Sequence, residues 1–135
     1  MRTGHAARWL VLGGGLLAAC AYYNGLYNAN RLAADAARAE RQGRAGEARS
    51  LWAQAAVKAE SVATRYPTSR HRDDALLLWG RALASTENCR RATRPLALAI
   101  DSSTDTKVVT QARLHLGRCQ VQRGRPDSAL TLLTP

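Results

Sequence analysis

Phenylalanine is absent from this 135-residue chain, methionine occurs once and lysine only twice. The aromatic residues are three tryptophans and four tyrosines, so a core must be built mostly from alanine and leucine. The apolar run Trp9 to Ala19 has 11 residues, too short to span a bilayer, which takes about 20. No strand-like alternation of polar and apolar residues is present. No glycine loop able to cradle phosphate exists outside Gly13–Gly15, and no Cys-x-x-Cys pair is available for redox work. His71 and His115 stand apart from each other and from any metal-ligand spacing. Asp73 and Asp74 are adjacent and point about 100° apart on a helix, so they do not form an acid/base pair. Serines, histidines and aspartates are too scattered to nominate a triad. These absences leave no catalytic constellation, no metal site and no cofactor site to propose.

What is present is positive charge and alanine. Eighteen arginines dominate a formal net charge of +10. In a cytosolic protein such a balance raises nucleic acid as a partner. The N-terminus directs the reading elsewhere. Arg2 and Arg8 precede the short apolar run, which closes on Leu17-Ala18-Ala19-Cys20. This is a signal-peptide pattern, kept out of fold reasoning. Its last four residues resemble the lipobox of bacterial lipoproteins. The resemblance implies cleavage after Ala19, a diacylglyceryl group on Cys20 and acylation of the new amino terminus. Several acyl chains anchor a protein stably where one is marginal. By the same resemblance Ala21 after the cysteine implies the outer membrane, facing the periplasm, and the export signal removes nucleic acid as a partner. Residues 1–19 are thus read as leader and 20–28 as lipid anchor and tether. The mature chain would have 116 residues and carry +8, because two arginines and no acidic residue lie in the leader. Extended, the eight residues after Cys20 reach at most about 26 Å. Tyr22, Tyr23 and Tyr27 suit a membrane–water interface, or alternatively pack back on the first helix.

Beyond residue 28 the periodicity is helical. Ala48, Trp52, Ala55, Ala59, Val62 and Tyr66 form one stripe, and Leu76, Trp79, Gly80 and Leu83 another. Pro67 ends the first of these helices and drives Tyr66 out of helical geometry. Ser69 is read as the next N-cap, with Asp73 and Asp74 in the favourable first turn. Aligning the chain with itself reveals a repeat. The small residues Ala36, Gly80 and Gly117 are each followed twelve residues later by Ala48, Ala92 and Ala129. A larger residue, Trp52, Leu96 or Leu133, comes four later still. The offsets between units are 44 and 37.

This pattern resembles the tetratricopeptide repeat, a 34-residue helix–turn–helix unit. Leu116-Gly117-Arg118-Cys119 and Trp79-Gly80-Arg81-Ala82-Leu83 look like its first-helix signature, and Asp127–Leu133 like the start of its second helix. The resemblance implies an all-α fold over 29–135, with hairpins about 29–67, 68–104 and 105–135 stacked as a short right-handed solenoid of two to three units, the last incomplete. In each unit a small residue on the first helix lets the second cross closely, and the larger residue fills the groove toward the next unit. Pro95 falls inside a second helix, bending it, or else that helix starts late with Thr93 as its cap. No polar capping helix follows Leu133, so a further segment or a partner is expected to complete the stack.

Cys89 near the start of one second helix and Cys119 near the end of the next first helix would lie at the same end of antiparallel neighbours. A disulfide is predicted between them in an oxidising compartment, with two buried thiols as the alternative. Arg90, Arg91 and Arg94, with Arg118, Arg123 and Arg125, are expected near that end as an anion-facing cluster or as solvated loop ends. Leader, helical repeats and the Tyr66–Ser69 break together resemble the BamD-type lipoprotein of the outer-membrane β-barrel assembly machinery. That resemblance implies a non-enzymatic, membrane-anchored periplasmic scaffold whose repeat surface binds a protein or peptide partner. The competing reading is an N-terminal docking part of a larger wall-modifying enzyme or secretin assembly.

Overall fold

The computed structural model describes residues 4–134, with side chains from residue 23 onward. Among these residues six α-helices follow one another: α1 (Gly4–Arg41), α2 (Ala45–Arg65), α3 (Arg72–Ser85), α4 (Cys89–Ser102), α5 (Thr106–Gln122) and α6 (Pro126–Leu133). There is no strand among the described residues. No helix among them is long and apolar enough to cross a membrane. Cys20 lies within α1, but its side chain is outside the described set, as is that of Tyr22.

Each helix packs on the next, giving the hairpins α1–α2, α3–α4 and α5–α6. In addition α3 lies against both α1 and α5, whereas the backbones of α2, α4 and α6 do not pack on one another. The first helices therefore form one continuous face, here the A face. The second helices stand apart on the other, the B face. This is the stacked-hairpin arrangement expected from the repeat.

Alanine makes the hairpins possible. Ala29, Ala33 and Ala36 on α1 meet Ala55, Ala59 and Val62 in one buried cluster that continues through Leu76, Leu83, Leu96 and Leu116. Where alanine is still too large, glycine replaces it. Gly80 on α3 is covered by Leu96 of α4, and a Cβ at 80 would sit 2.5 Å from Leu96 Cδ2. Gly25 on α1 plays the same part against Val62, whose Cγ2 would lie 2.8 Å from an added Cβ. Trp52 is the largest fully buried side chain.

The three hairpin turns share one hydrogen-bond pattern. The N–H of Arg44, Asn88 and Arg125 donates back to the carbonyl of Ala39, Leu83 and Gln120, at 2.9 Å in each case. The preceding residue is left-handed each time: Gly43 at φ 73°, Glu87 at φ 61° and Gly124 at φ 72°. These are Schellman closures, which satisfy the last carbonyls of the first helix. The middle turn achieves with glutamate what its neighbours achieve with glycine.

Several expectations need correction. Residues 23–28 are not an extended tether: they are helical, and Leu26 is packed against the core. The reason is that Leu26, Ala29, Ala33 and Ala36 form one helical stripe, which outweighs the poor helix propensity of Asn24 and Gly25. Tyr23 and Tyr27 project outward. Ser69 does not cap α3. It sits in the preceding turn, where its hydroxyl accepts from the His71 N–H at 3.3 Å, and His71 is the cap residue. Pro95 lies inside α4 at its seventh position, so the helix does not start late at Thr93. Its missing N–H leaves the Arg91 carbonyl without its usual intrahelical donor. Leu133 lies beside Gly117 in its own hairpin and is 53 % exposed.

Candidate functional site

The A face carries a groove of about 240 Å³ lined by Leu26 and Asn30 of α1, Asp74, Leu77, Leu78 and Arg81 of α3, and Gln111 and His115 of α5. The repeat explains why these side chains converge. Asn30, Asp74 and Gln111 are separated by the same 44 and 37 residues that relate the units. Leu78 and His115 share another register position, as do Arg81 and Arg118. Stacking three hairpins therefore delivers a row of side chains from successive helices to one surface. A shallower hollow of about 160 Å³, lined by Tyr23, Leu26, Tyr27, Asn30 and His71, extends the groove along α1.

The floor is apolar and the rim is polar. Leu26, Leu77 and Leu78 offer buried area, while Asn30, Asp74, Arg81 and Gln111 offer both donors and acceptors. An extended peptide needs this combination, because its backbone carries an N–H and a C=O at nearly every residue. Arg81 is held in place from below, its guanidinium lying 5.0 Å from the ring centre of Trp52. Trp52 is fixed in turn by donating from Nε1 to Glu40 Oε1 at 2.7 Å. His115 is nearly buried and its pKa is lowered to about 4, first by loss of solvent and then by the charges of Arg81 and Arg118. At neutral pH it is an uncharged imidazole.

Cys89 and Cys119 are joined in a disulfide with Cα atoms 5.1 Å apart. It crosses from α4 to α5 and so ties the second hairpin to the third. The six arginines occupy three settings. Arg118 acts on His115 and belongs to the A face. Arg90, Arg91 and Arg94 line a separate B-face groove of about 330 Å³ with Glu60, Trp79 and Pro95. Arg91 pairs with Glu60 at 3.6 Å. Arg123 and Arg125 flank the last turn as the end cap of α5 and the start cap of α6.

The expected packing residues Ala36, Ala48, Trp52, Gly80, Ala92, Leu96, Gly117 and Ala129 are buried, and Trp79 is partly so. The Trp79 Nε1–H is shielded and finds no acceptor among the described residues, a condition that costs about 1–3 kcal/mol. Asp73 is structural: Ser102 Oγ donates to its Oδ1 at 2.6 Å and ties the end of α4 to the start of α3. No group of three His, Cys, Asp or Glu residues able to hold a metal occurs among the described residues. Sequence reasoning missed Asn30, Leu77, Leu78, Arg81 and Gln111. The signal was available, since the repeat offsets apply to the exposed face of each first helix as well as to the buried one.

No curated protein and no solved structure matches the chain. The family model described as a tetratricopeptide repeat-like domain matches residues 4–135. With the hairpins, the recurrent turns and the shared register on the page, the chain belongs to the tetratricopeptide repeat-like domain family.

Proposed function

We propose that this protein is a lipid-anchored scaffold on the periplasmic face of the outer membrane, and that its A-face groove holds a protein or peptide partner. Domains of this family are generally non-catalytic scaffolds for protein interaction. The observation that carries the reading is the register row of Asn30, Asp74 and Gln111 over a leucine floor. Membrane attachment rests on the basic leader and the Leu17–Cys20 motif. The resemblance to BamD-type lipoproteins supports outer-membrane β-barrel assembly as the setting.

Photo-crosslinking tests the groove. A photoreactive residue at Asn30 or Gln111 should capture a partner in intact cells, whereas one at Val57, exposed on α2, should not. Equal capture from all three positions would sink the assignment of the face. Recovery of barrel-assembly proteins supports the setting, and recovery of secretin or wall enzymes redirects it. Mass spectrometry of the membrane fraction tests the anchor: an acylated Cys20 at the amino terminus is expected, and an unmodified Cys20 overturns it.

A second reading, as a docking part of a larger wall-modifying enzyme or secretin assembly, is favoured by one observation. Leu130 and Leu133 leave an exposed apolar edge on α6, suited to burial against a neighbouring domain.

A further inference from the structure

The outer side of α1 takes no part in the hairpin packing. Ala29, Ala33 and Ala36 turn one side of this helix into the core. Tyr27, Arg31, Ala34 and Arg38 recur every three or four residues on the opposite side, with Tyr23 beside them. All five are exposed. The two tyrosines border the shallow hollow on the A face, yet Tyr23 is 70 % and Tyr27 56 % exposed. The repeat shows what this row replaces. At the positions of Tyr27, Arg31, Ala34 and Arg38, α5 carries Val108, Ala112, His115 and Cys119, and all four are buried. Where a later first helix packs on the hairpin before it, α1 offers tyrosine and arginine.

The row is ordered along the helix. Its tyrosines stand at the end nearer Cys20 and its arginines at the far end. A tyrosine ring is apolar and its hydroxyl polar, which suits the boundary between acyl chains and head groups. A guanidinium suits the phosphates just outside that boundary. Arg31 makes no ion pair among the described residues, and Arg38 has only an exposed one, with Asp35 at 3.0 Å. Arginines alone would not select a bilayer over another anion. The selection comes from position 20. It falls in the same helical row, seven residues before Tyr27, and α1 runs through it without a break. A lipid on Cys20 brings one particular surface, the bilayer, to this row.

We propose that the outer row of α1 lies along the head-group zone of the membrane, with Tyr23 and Tyr27 at the acyl boundary and Arg31 and Arg38 on lipid phosphates. The proposal rests on the lipid anchor proposed above. Because the anchor makes the contact intramolecular, weak contacts suffice to hold the helix down. The stack then rises from the membrane hairpin by hairpin, and the A-face groove runs up its side from α1 to α5. An α1 standing upright on its lipid would behave differently. It would carry Arg38 about 27 Å along the helix from position 20, clear of the head groups.

The test uses the full acylated, ¹⁵N-labelled chain in nanodiscs of phosphatidylethanolamine and phosphatidylglycerol, with a nitroxide on some of the head groups. Co-elution with the discs reads the anchor, and paramagnetic loss of backbone amide signals reads the face. The Arg38 amide should lose its signal. The amide of Cys119, which holds the equivalent position two hairpins away, should keep it. Tyr23→Ser with Tyr27→Ser, both exposed positions, should weaken the loss at Arg38 about twofold or more, with an unchanged unfolding midpoint showing that the fold is intact. A chain that co-elutes but loses signal equally at Arg38 and Cys119 stands upright, which overturns the proposal and leaves the anchor in place. An undiminished loss at Arg38 in the double variant also overturns it. A chain that stays off the discs refutes the anchor and this face together.

Discussion

Leu96 covers Gly80 so closely that the α3–α4 crossing has no room for one added methyl. A Cβ at 80 would lie 2.5 Å from Leu96 Cδ2 and 3.3 Å from the Leu96 backbone nitrogen. Leu96 is fully buried and has no free direction in which to retreat. Gly80→Ala is expected to lower stability by about 1–3 kcal/mol. Gly117→Ala should act in the opposite sense. Its nearest contacts, on Leu133, lie at an ordinary 3.5 Å, so removing a mid-helix glycine should add about 0.5–1 kcal/mol. Urea unfolding of the two variants checks the contrast, and shifts in the same direction would refute it.

Glu87 occupies the left-handed turn position that Gly43 and Gly124 occupy in the neighbouring hairpins. A side chain there is strained by roughly 1–2 kcal/mol. Its ion pair with Arg49 is exposed on both sides, at 3.5 Å, and contributes little. Glu87→Gly should therefore raise the unfolding midpoint despite losing that pair, with a gain of about 0.5–1 kcal/mol after the added freedom of the unfolded chain is counted. A lower midpoint would show that the ion pair outweighs the backbone.

The Cys89–Cys119 bond closes a loop with a sequence separation of 30 residues. Constraint of the unfolded chain alone makes this worth about 3–4 kcal/mol. The double variant Cys89→Ala, Cys119→Ala should unfold at correspondingly lower urea than the oxidised protein, and reducing agent should affect only the latter.

His115 gives a pH dependence of defined sign. Its folded pKa is about 4 and its unfolded value is about 6.5. Between those values the unfolded chain binds a proton that the folded chain refuses, so stability rises with pH. The contribution is fully present above pH 6.5 and is lost as pH falls toward 4, reaching about 3 kcal/mol at most. His115→Gln should flatten that part of the stability profile. Chemical denaturation of both proteins at pH 7 and at pH 4.5 measures the difference, and parallel profiles would refute the assignment.

Much of this architecture was legible because it rests on short-range rules. The small residues at 36, 80 and 117 mark the crossings, Pro67 marks a helix end, and the antiparallel order places Cys89 beside Cys119. What escaped depended on competition between weak signals. Asn24 and Gly25 suggest a linker, yet the Leu26–Ala29–Ala33 stripe holds them in helix by packing on α2. Glu87 hides a turn that glycine announces elsewhere, because the hydrogen bonds of Asn88 impose the left-handed residue regardless of its type. The A-face groove escaped for a different reason. Asn30, Asp74 and Gln111 have unlike side chains, and only their common register, not their chemistry, identifies them as a set.

Repeat stacks come apart one unit at a time under load, since each unit touches only its neighbours. The disulfide rivets the second hairpin to the third and so removes one of the two seams at which the stack could peel. Tension applied through α1 must first open the joint between α2 and α3. The two riveted hairpins then yield as a single block, which makes them the mechanically stiff half of the molecule.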